Sequence, residues 1–422
     1  MASSSENATE KVSGIAICEC AVPTLDDVPK GAKRYLVLIA CIVMLLFLGT
    51  GQAWSVFVKP LNAAYQFTSY ETQMVFTLST LFFCVMMVIA GRLHDRIGPR
   101  PLGVASAIIT GIAWLLASAK GADIHFLWLA VGVLASTGSA VGYVCPIATA
   151  AKWFPKNKGL VCGLAAAGFA GGPILMSNVT EVLLANQWHP LEIFRLIGLV
   201  YAPIILITGL MMAVPPGQPG AEAAASFDRR KLLRDRRFWT LFAGMFFGTL
   251  PYLTVMGNAK PIGEDFRIGS AAVIAISVVA AGNAFGRIFW GIFVDRLGPR
   301  RSMLSAQAIM IASMLCLVLF GRGNPILFMI AVAGTGFCYG SNFAIYPATV
   351  ARLYGTHVMG SVYALIMAAQ AISSFAPSIN GRLFDITKSF IPGLSGAAGL
   401  AVIGIVVTFI LSKPLAEQPK QV

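Results

Sequence analysis

The sequence predicts an all-α integral membrane protein, with twelve transmembrane helices in two pseudo-symmetric six-helix bundles. Three observations predict it. Of 422 residues, 57% are hydrophobic and only 12% charged, whereas soluble domains carry about 25% charged residues. Apolar runs near the ~20 residues needed to cross a bilayer recur along the whole chain. A ten-residue stretch also appears twice, 200 residues apart: Gly-Arg-Leu-His-Asp-Arg-Ile-Gly-Pro-Arg at 91–100 and Gly-Ile-Phe-Val-Asp-Arg-Leu-Gly-Pro-Arg at 291–300.

The apolar runs fall near 35–57, 70–93, 102–119, 125–150, 159–182, 192–214, 238–259, 270–296, 302–320, 325–351, 359–380 and 394–412. In lipid every backbone amide and carbonyl must be bonded within its own segment, so these runs are helices. The longest polar interruption, 215–237, starts with Pro215-Pro216-Gly217 and ends in a cluster of Arg229, Arg230, Lys231, Arg234, Arg236 and Arg237. It predicts a linker between bundles at 35–214 and 238–412, with tails at 1–34 and 413–422. The first tail is polar and lacks the basic start and cleavage site of a signal peptide.

The net charge of +13 does not imply nucleic-acid binding. With the N-terminus cytoplasmic and the helices alternating, 22 of the 31 basic residues fall on the cytoplasmic side, 8 outside and 1 within the membrane. That is the positive-inside pattern, which predicts a multi-pass cell-membrane protein with both termini cytoplasmic. The eight cysteines mostly lie in apolar runs without metal-site spacing and read as buried thiols. The four histidines all fall at loops. No nucleophile–base pair, metal cluster or nucleotide loop is visible, so neither an enzyme nor a bound cofactor is expected.

The repeated stretch follows spans two and eight. Gly91 and Gly291 are expected to admit a close neighbouring helix. Asp95 and Asp295 would face a helix N-terminus or a basic side chain across the loop. Gly98-Pro99 and Gly298-Pro299 turn the chain. Together with Arg96, Arg100, Arg296 and Arg300 these residues form the expected gate, a latch holding the halves together. A second echo, Ala151-Lys152-Trp153-Phe154 against Ala351-Arg352-Leu353-Tyr354, lies at the same offset. Parallel repeats of this kind place a substrate site between the halves near the midplane.

Arg287 is the one basic residue placed within the membrane. It lies eight residues before Asp295, about 12 Å along a helix. An arginine at the centre of a membrane helix costs about 2.5–3.5 kcal/mol on insertion scales and marks a functional site by default. Its planar fork fits a carboxylate in bidentate fashion. No aspartate or glutamate lies deep in a span to neutralise it; Glu71, Glu181, Glu192 and Asp385 are all near ends. A bound monoanion is therefore the expected counter-charge. Asn283, Tyr143, Tyr339, Phe343, Gln370 and Gln52 are the expected companions. Thr50, Trp54, Asn258 and Asn342 are further polar or aromatic groups on the spans, and Lys59 reads as an interfacial anchor.

These motifs resemble the major facilitator superfamily. Within it, Lys152-Trp153-Phe154-Pro155-x-x-Lys158-Gly159 followed by Ala165-Ala166-Ala167-Gly168-Phe169 looks like the oxalate/formate antiporter family, a neighbour of the monocarboxylate carriers. Gly51-Gln52-x-Trp54-Ser55, Arg237-Phe238-Trp239 and Arg287 with Trp290-Gly291 add to it. The resemblance spans the whole chain. It implies transport of small carboxylates with Arg287 as the substrate-binding arginine of helix eight. Two positions depart from it. Gln370 stands where the oxalate exchangers carry a second basic residue, which shifts the expectation from oxalate to a monocarboxylate such as lactate, pyruvate or formate. Asn283 stands where animal monocarboxylate carriers have an aspartate, so the proton-coupling group is not visible. The expected function is proton-linked monocarboxylate transport by a functional monomer. The alternatives are an oxalate/formate-type exchanger and a carboxylate sensor that transports nothing.

Overall fold

The computed structural model describes residues 32–154, 158–212, 229–354 and 359–412. The two tails, apart from 32–34, and most of the 215–237 linker lie outside them. Among the described residues all regular structure is helical. The N-terminal bundle holds α1 (Ala32–Ala53), α2 (Ser69–Ile97), α3 (Pro99–Lys120), α4 (Ile124–Ala150), α5 (Lys158–Ala185) and α6 (Pro190–Met211). The C-terminal bundle holds α7 (Arg236–Met256), α8 (Ala271–Leu297), α9 (Pro299–Phe320), α10 (Pro325–Tyr354), α11 (Val362–Thr387) and α12 (Ile391–Leu411). All but α5 meet both the length and the hydropathy needed to span a membrane. The 28-residue α5 fills the fifth expected position.

Large apolar side chains point outward all around the bundles. Ile108, Ile112, Leu199, Ile207, Ile288 and Ile330 are each at least half exposed. A water-facing surface of this kind would be strongly unfavourable, so the band is the lipid-facing surface. Local signals set the helix starts. Thr68 and Glu71 close a capping box on α2, His189 and Glu192 close one on α6, and Asp123, Asp235 and Asn324 cap α4, α7 and α10. Even numbers of crossings put the starts of α1 and α7 at one end of the molecule, the linker end. The starts of α2 and α8 lie at the opposite, distal end.

The repeated stretch is helical for most of its length, because α2 and α8 continue to Ile97 and Leu297. The chain turns only at Gly98 and Gly298. Both hold φ +81°, followed by a proline in the first turn of the next helix. That agreement in backbone geometry is the internal repeat in three dimensions. With φ +81° and ψ near 180° both glycines lie in a backbone region essentially reserved for glycine, which costs a residue with a Cβ about 1–3 kcal/mol, and a Cβ at either glycine meets no other atom. Gly298→Ala should therefore cost about 1–3 kcal/mol through the backbone alone, read as a fall in unfolding temperature in detergent. Gly98→Ala should add a similar amount, since the sites are independent.

Two expectations for the motif are corrected. A Cβ at Gly91 or Gly291 would meet nothing within 4 Å, so neither glycine is there to admit a neighbouring helix. The second concerns the latch. Asp295 accepts from Arg352 at 2.7 Å, joining α8 to the end of α10. Arg300 donates to Ser412 at 3.1 Å and lies over the Phe409 ring of α12. All these contacts stay within one bundle. Arg96, Arg100 and Arg296 are exposed, and the side chain of Asp95 lies outside the described residues. In the C-terminal half the motif braces its own bundle rather than bridging the two.

The contacts that join the bundles gather toward the distal end. Asp385 of α11 accepts from both Ser69 and Tyr70 at the N-terminus of α2, at 3.1 and 2.9 Å, a favourable place for a carboxylate. The short helix Ala259–Asp265 that follows α7 carries two crossed ion pairs, Lys260 with Glu181 of α5 and Glu264 with Lys59. Ser177 and Asn178 of α5 meet Ser277 of α8, and Gln73 donates to the Gly257 carbonyl at 2.7 Å. Lys59, expected as an interfacial anchor, is thus a cross-bundle partner. Lys260 is a buried cation that sequence reading placed outside the membrane.

Candidate site at the bundle interface

Arg287 lies ten residues before the end of α8, buried between the bundles with 8% of its surface exposed. Close packing of α8 on α10 fixes it there. A Cβ at Gly340 of α10 would come within 2.7 Å of the Arg287 backbone nitrogen, and one at Gly286 within 2.1 Å of the Phe337 carbonyl oxygen. Only glycine lets the two helices approach so closely. Trp290 closes the same seam by donating to the Phe337 carbonyl at 3.0 Å.

The guanidinium is held from three sides. Its Nε donates to Asn283 Oδ1 one turn earlier at 3.3 Å, and Nη1 donates across the bundle interface to the Ala166 carbonyl at 3.0 Å. Its plane lies over the Phe343 ring at 4.2 Å, a cation–π contact. No carboxylate pairs with it among the described residues. Its Nη2 is buried without an acceptor, and so is Asn283 Nδ2. The Tyr252 hydroxyl faces the Asn283 amide without closing a hydrogen bond and lies within electrostatic reach of Arg287. Three donors and one uncompensated positive charge therefore converge at one place. In a low-dielectric interior such groups are costly unless an acceptor or anion reaches them.

Beside this cluster a cavity opens between the bundles. Gln52, Tyr143, Tyr339, Phe343 and Gln370, the expected companions of Arg287, all line it. Arg287 does not line it, because its guanidinium stands behind the Phe343 ring. Asn283 stands there too. Thr50 lines the cavity but donates back to Phe47 O at 2.8 Å. The other polar groups singled out on the spans are used in packing. Trp54 donates to Thr72 O at 2.8 Å, Asn342 to Thr249 at 2.8 Å, and Asn258 to Thr254 O at 3.1 Å.

Sequence reading missed Tyr252. Its ring stacks on that of Tyr339 at 3.7 Å and 4°, and it lines the same cavity as Gln52. The signal was present, because the 200-residue offset maps Gln52 onto Tyr252 and Tyr143 onto Phe343. Phe169, at the end of the Ala165–Phe169 run, packs on Tyr143 at 4.9 Å and also lines the cavity.

A family model described as Major Facilitator Superfamily matches residues 39–378. The chain belongs to that superfamily. It is 26% identical to the MFS-type transporter YhjX of Escherichia coli over 81% of this chain and 86% of that one. It is 25% identical to the oxalate:formate antiporter of Oxalobacter formigenes over 82% and 83%, and 23% identical to monocarboxylate transporter 13 of Bos taurus over 92% and 93%. In three dimensions it matches a bacterial homologue of the lysosomal transporter Spinster with a TM-score of 0.70 at 15% identity, covering 92% of this chain and 99% of that one. The superfamily's internal repeat agrees with the matched glycines at 98 and 298. The chain is a multi-pass membrane transporter.

Proposed function

We propose that this transporter carries small monocarboxylate anions of the lactate or pyruvate type together with a proton. It would do so as a monomer, by rocking of the bundles 35–214 and 238–412 about Arg287. The observation that carries the reading is the buried Arg287 guanidinium, with no carboxylate partner among the described residues and with Nη2 unsatisfied beside Asn283 Nδ2 and Tyr252 OH. An arriving carboxylate supplies the missing negative charge and accepts from these donors. One cation suits one carboxylate, and Gln370, buried at 3% exposure on the cavity wall, adds none. The Arg287–Ala166 bond crosses the interface, so rocking of one bundle against the other breaks it and releases a second guanidinium donor to the substrate. The distal end, where the crossed ion pairs hold the bundles together, is the outer end if both termini are cytoplasmic.

The test is uptake of labelled lactate by proteoliposomes of the purified chain, with and without an inward proton gradient. Gradient-driven accumulation is the expected result. A second reading, anion exchange, is favoured by the likeness to the oxalate:formate antiporter. It predicts uptake accelerated by internal formate or oxalate and indifferent to pH. Specific lactate binding without movement of either anion would instead mark a sensor.

A further inference from the structure

Immediately before α7 the chain forms a short helix, Arg229–Arg234. Its sequence is Arg-Arg-Lys-Leu-Leu-Arg, with four basic residues and no acidic one. Like charges one turn apart destabilise a helix, so propensity alone does not account for it. Packing accounts for one side. Leu232 is 5% exposed and joins a core with Phe238, Leu241 and Met245. Asp235 then ends the helix. Its carboxylate caps α7 by accepting from the Arg237 amide at 2.8 Å and accepts from the Tyr354 hydroxyl of α10, also at 2.8 Å. The segment is therefore fixed to the bundle at Leu232 and again at Asp235.

The other side faces outward. With ~3.6 residues per turn, Arg230 and Arg234 share the face opposite Leu232, and Leu233 lies on a flank. Arg230, Lys231, Arg234 and Arg236 are exposed, and so is half of Leu233. Trp239 is also exposed, yet its indole N–H donates to the Leu233 carbonyl at 2.8 Å, which holds the ring on this flank. The span of α7 begins at Arg236, and tryptophans at the end of a span sit at the level of the lipid headgroups. Cations and apolar side chains thus meet where hydrocarbon gives way to charge. At this end of the C-terminal bundle the carboxylates among the described residues, Asp235 and Asp295, are engaged by Tyr354 and Arg352.

We propose that residues 230–239 form a binding site for the headgroup of an anionic phospholipid in the leaflet at the linker end. Arg230 and Arg234, neighbours one turn apart, take the phosphate with their planar forks, and Lys231 and Arg236 add charge. Leu233 and Trp239 meet the upper part of the acyl chains. Such a lipid answers every feature of the surface: its net charge offsets the repulsion along the helix, and its chains cover the apolar flank. A zwitterionic lipid brings chains but no net charge, and a soluble polyanion brings charge but leaves Leu233 and Trp239 against water. Clusters of about four to eight Lys and Arg beside a span are the sequence form of such sites. The site stands apart from Arg287 and does not depend on what is transported.

The experiment reads Trp239 in proteoliposomes of the full chain, as the difference in tryptophan emission between the native chain and Trp239→Phe. Phosphatidylcholine is replaced stepwise by phosphatidylglycerol or phosphatidylcholine with brominated chains, which quench tryptophan on contact. Brominated phosphatidylglycerol should reach half-quenching at a mole fraction at least about fivefold lower, the factor that one basic side chain near an anionic surface contributes. The preference should shrink as salt is raised. Arg230→Gln with Lys231→Gln and Arg234→Gln should abolish it. Arg296→Gln with Arg301→Gln, which removes exposed cations at the same end, should leave most of it. Equal quenching by the two lipids overturns the proposal, and this arm needs none of the arginine variants to fold. A preference indifferent to salt, or one that survives the triple substitution in a folded chain, also overturns it. So does an equal loss in the Arg296 and Arg301 variant, which would assign the preference to the general charge of this end.

Discussion

Replacing Arg287 with glutamine should lower monocarboxylate uptake by about a hundredfold or more while leaving the protein as thermally stable as the native chain, or more so. Both halves of this expectation follow from the same geometry. Hydrogen bonds to a charged group contribute about 1.5–3 kcal/mol each, so losing a two-pronged contact removes about 3–6 kcal/mol of substrate binding. The stability half runs the other way. Arg287 is buried without a carboxylate partner and with Nη2 unsatisfied, and a central membrane arginine costs about 2.5–3.5 kcal/mol. Against this stand two ordinary hydrogen bonds, to Asn283 and Ala166, and the contact with Phe343. Glutamine removes the charge and can keep one of those bonds. An arginine there only to hold α8 against α5 would behave oppositely, losing stability first and activity as a consequence. Arg287→Lys separates charge from shape. It keeps the cation but loses the planar fork, so uptake should recover only in part. The measurements are initial uptake rates in proteoliposomes and unfolding temperatures in detergent. Native kinetics in the glutamine variant would remove Arg287 from the site.

How much of this was legible in the sequence depends on whether the cause is local. Lipid imposes a local rule, that each crossing satisfies its own backbone, so the helices could be read from hydropathy alone. The turn at Gly98-Pro99 and its copy at Gly298-Pro299 is also local, and the two backbones agree at φ +81°. Arg287 stood out because an ionisable group in an apolar run is conspicuous wherever its partners lie. The distal contacts were not legible. Glu181 and Lys260 are 79 residues apart and each sits at a helix end, where a charge ordinarily faces water. Only docking of one bundle on the other makes them a pair. The same holds for Asp385, whose partners are amides at the start of α2 some 315 residues away. Gly91 and Gly291 illustrate the reverse error, in which a glycine in a repeated motif was read as a packing device although nothing packs there. The π-helical stretch of α4, Trp128–Ala135, had no signature at all, since it reads as an ordinary apolar segment.

The distal contacts carry the other large effect. Glu181→Gln should shift the transporter toward a state open at the distal end by about a hundredfold in population. The Glu181 and Lys260 side chains are only 21% and 11% exposed, and they join opposite bundles. Removing one partner of a buried pair leaves the other charge uncompensated, at a cost of about 3–5 kcal/mol. The partial exposure of Glu181 places this case at the low end, and about 1.4 kcal/mol corresponds to a factor of ten. The cost falls only on the closed arrangement, because opening lets water reach Lys260. The crossed pair Lys59–Glu264, on the same short helix, should count for less, since Lys59 is 58% exposed and exposed pairs contribute about 0–1 kcal/mol. A double variant, Glu181→Gln with Lys260→Met, removes the stranded charge and should return the population most of the way. Ser277, which meets Ser177 and Asn178 across the interface, supplies the readout. A cysteine introduced there is shielded while the distal end is shut and reacts with an impermeant thiol reagent once it opens. Fast labelling in Glu181→Gln and slow labelling in the double variant is the expected pattern. Equal labelling of Glu181→Gln and the native chain would show that the pair does not hold the distal end. Fast labelling in Glu181→Gln that persists in the double variant would locate the effect in Glu181 itself rather than in the charge it leaves behind.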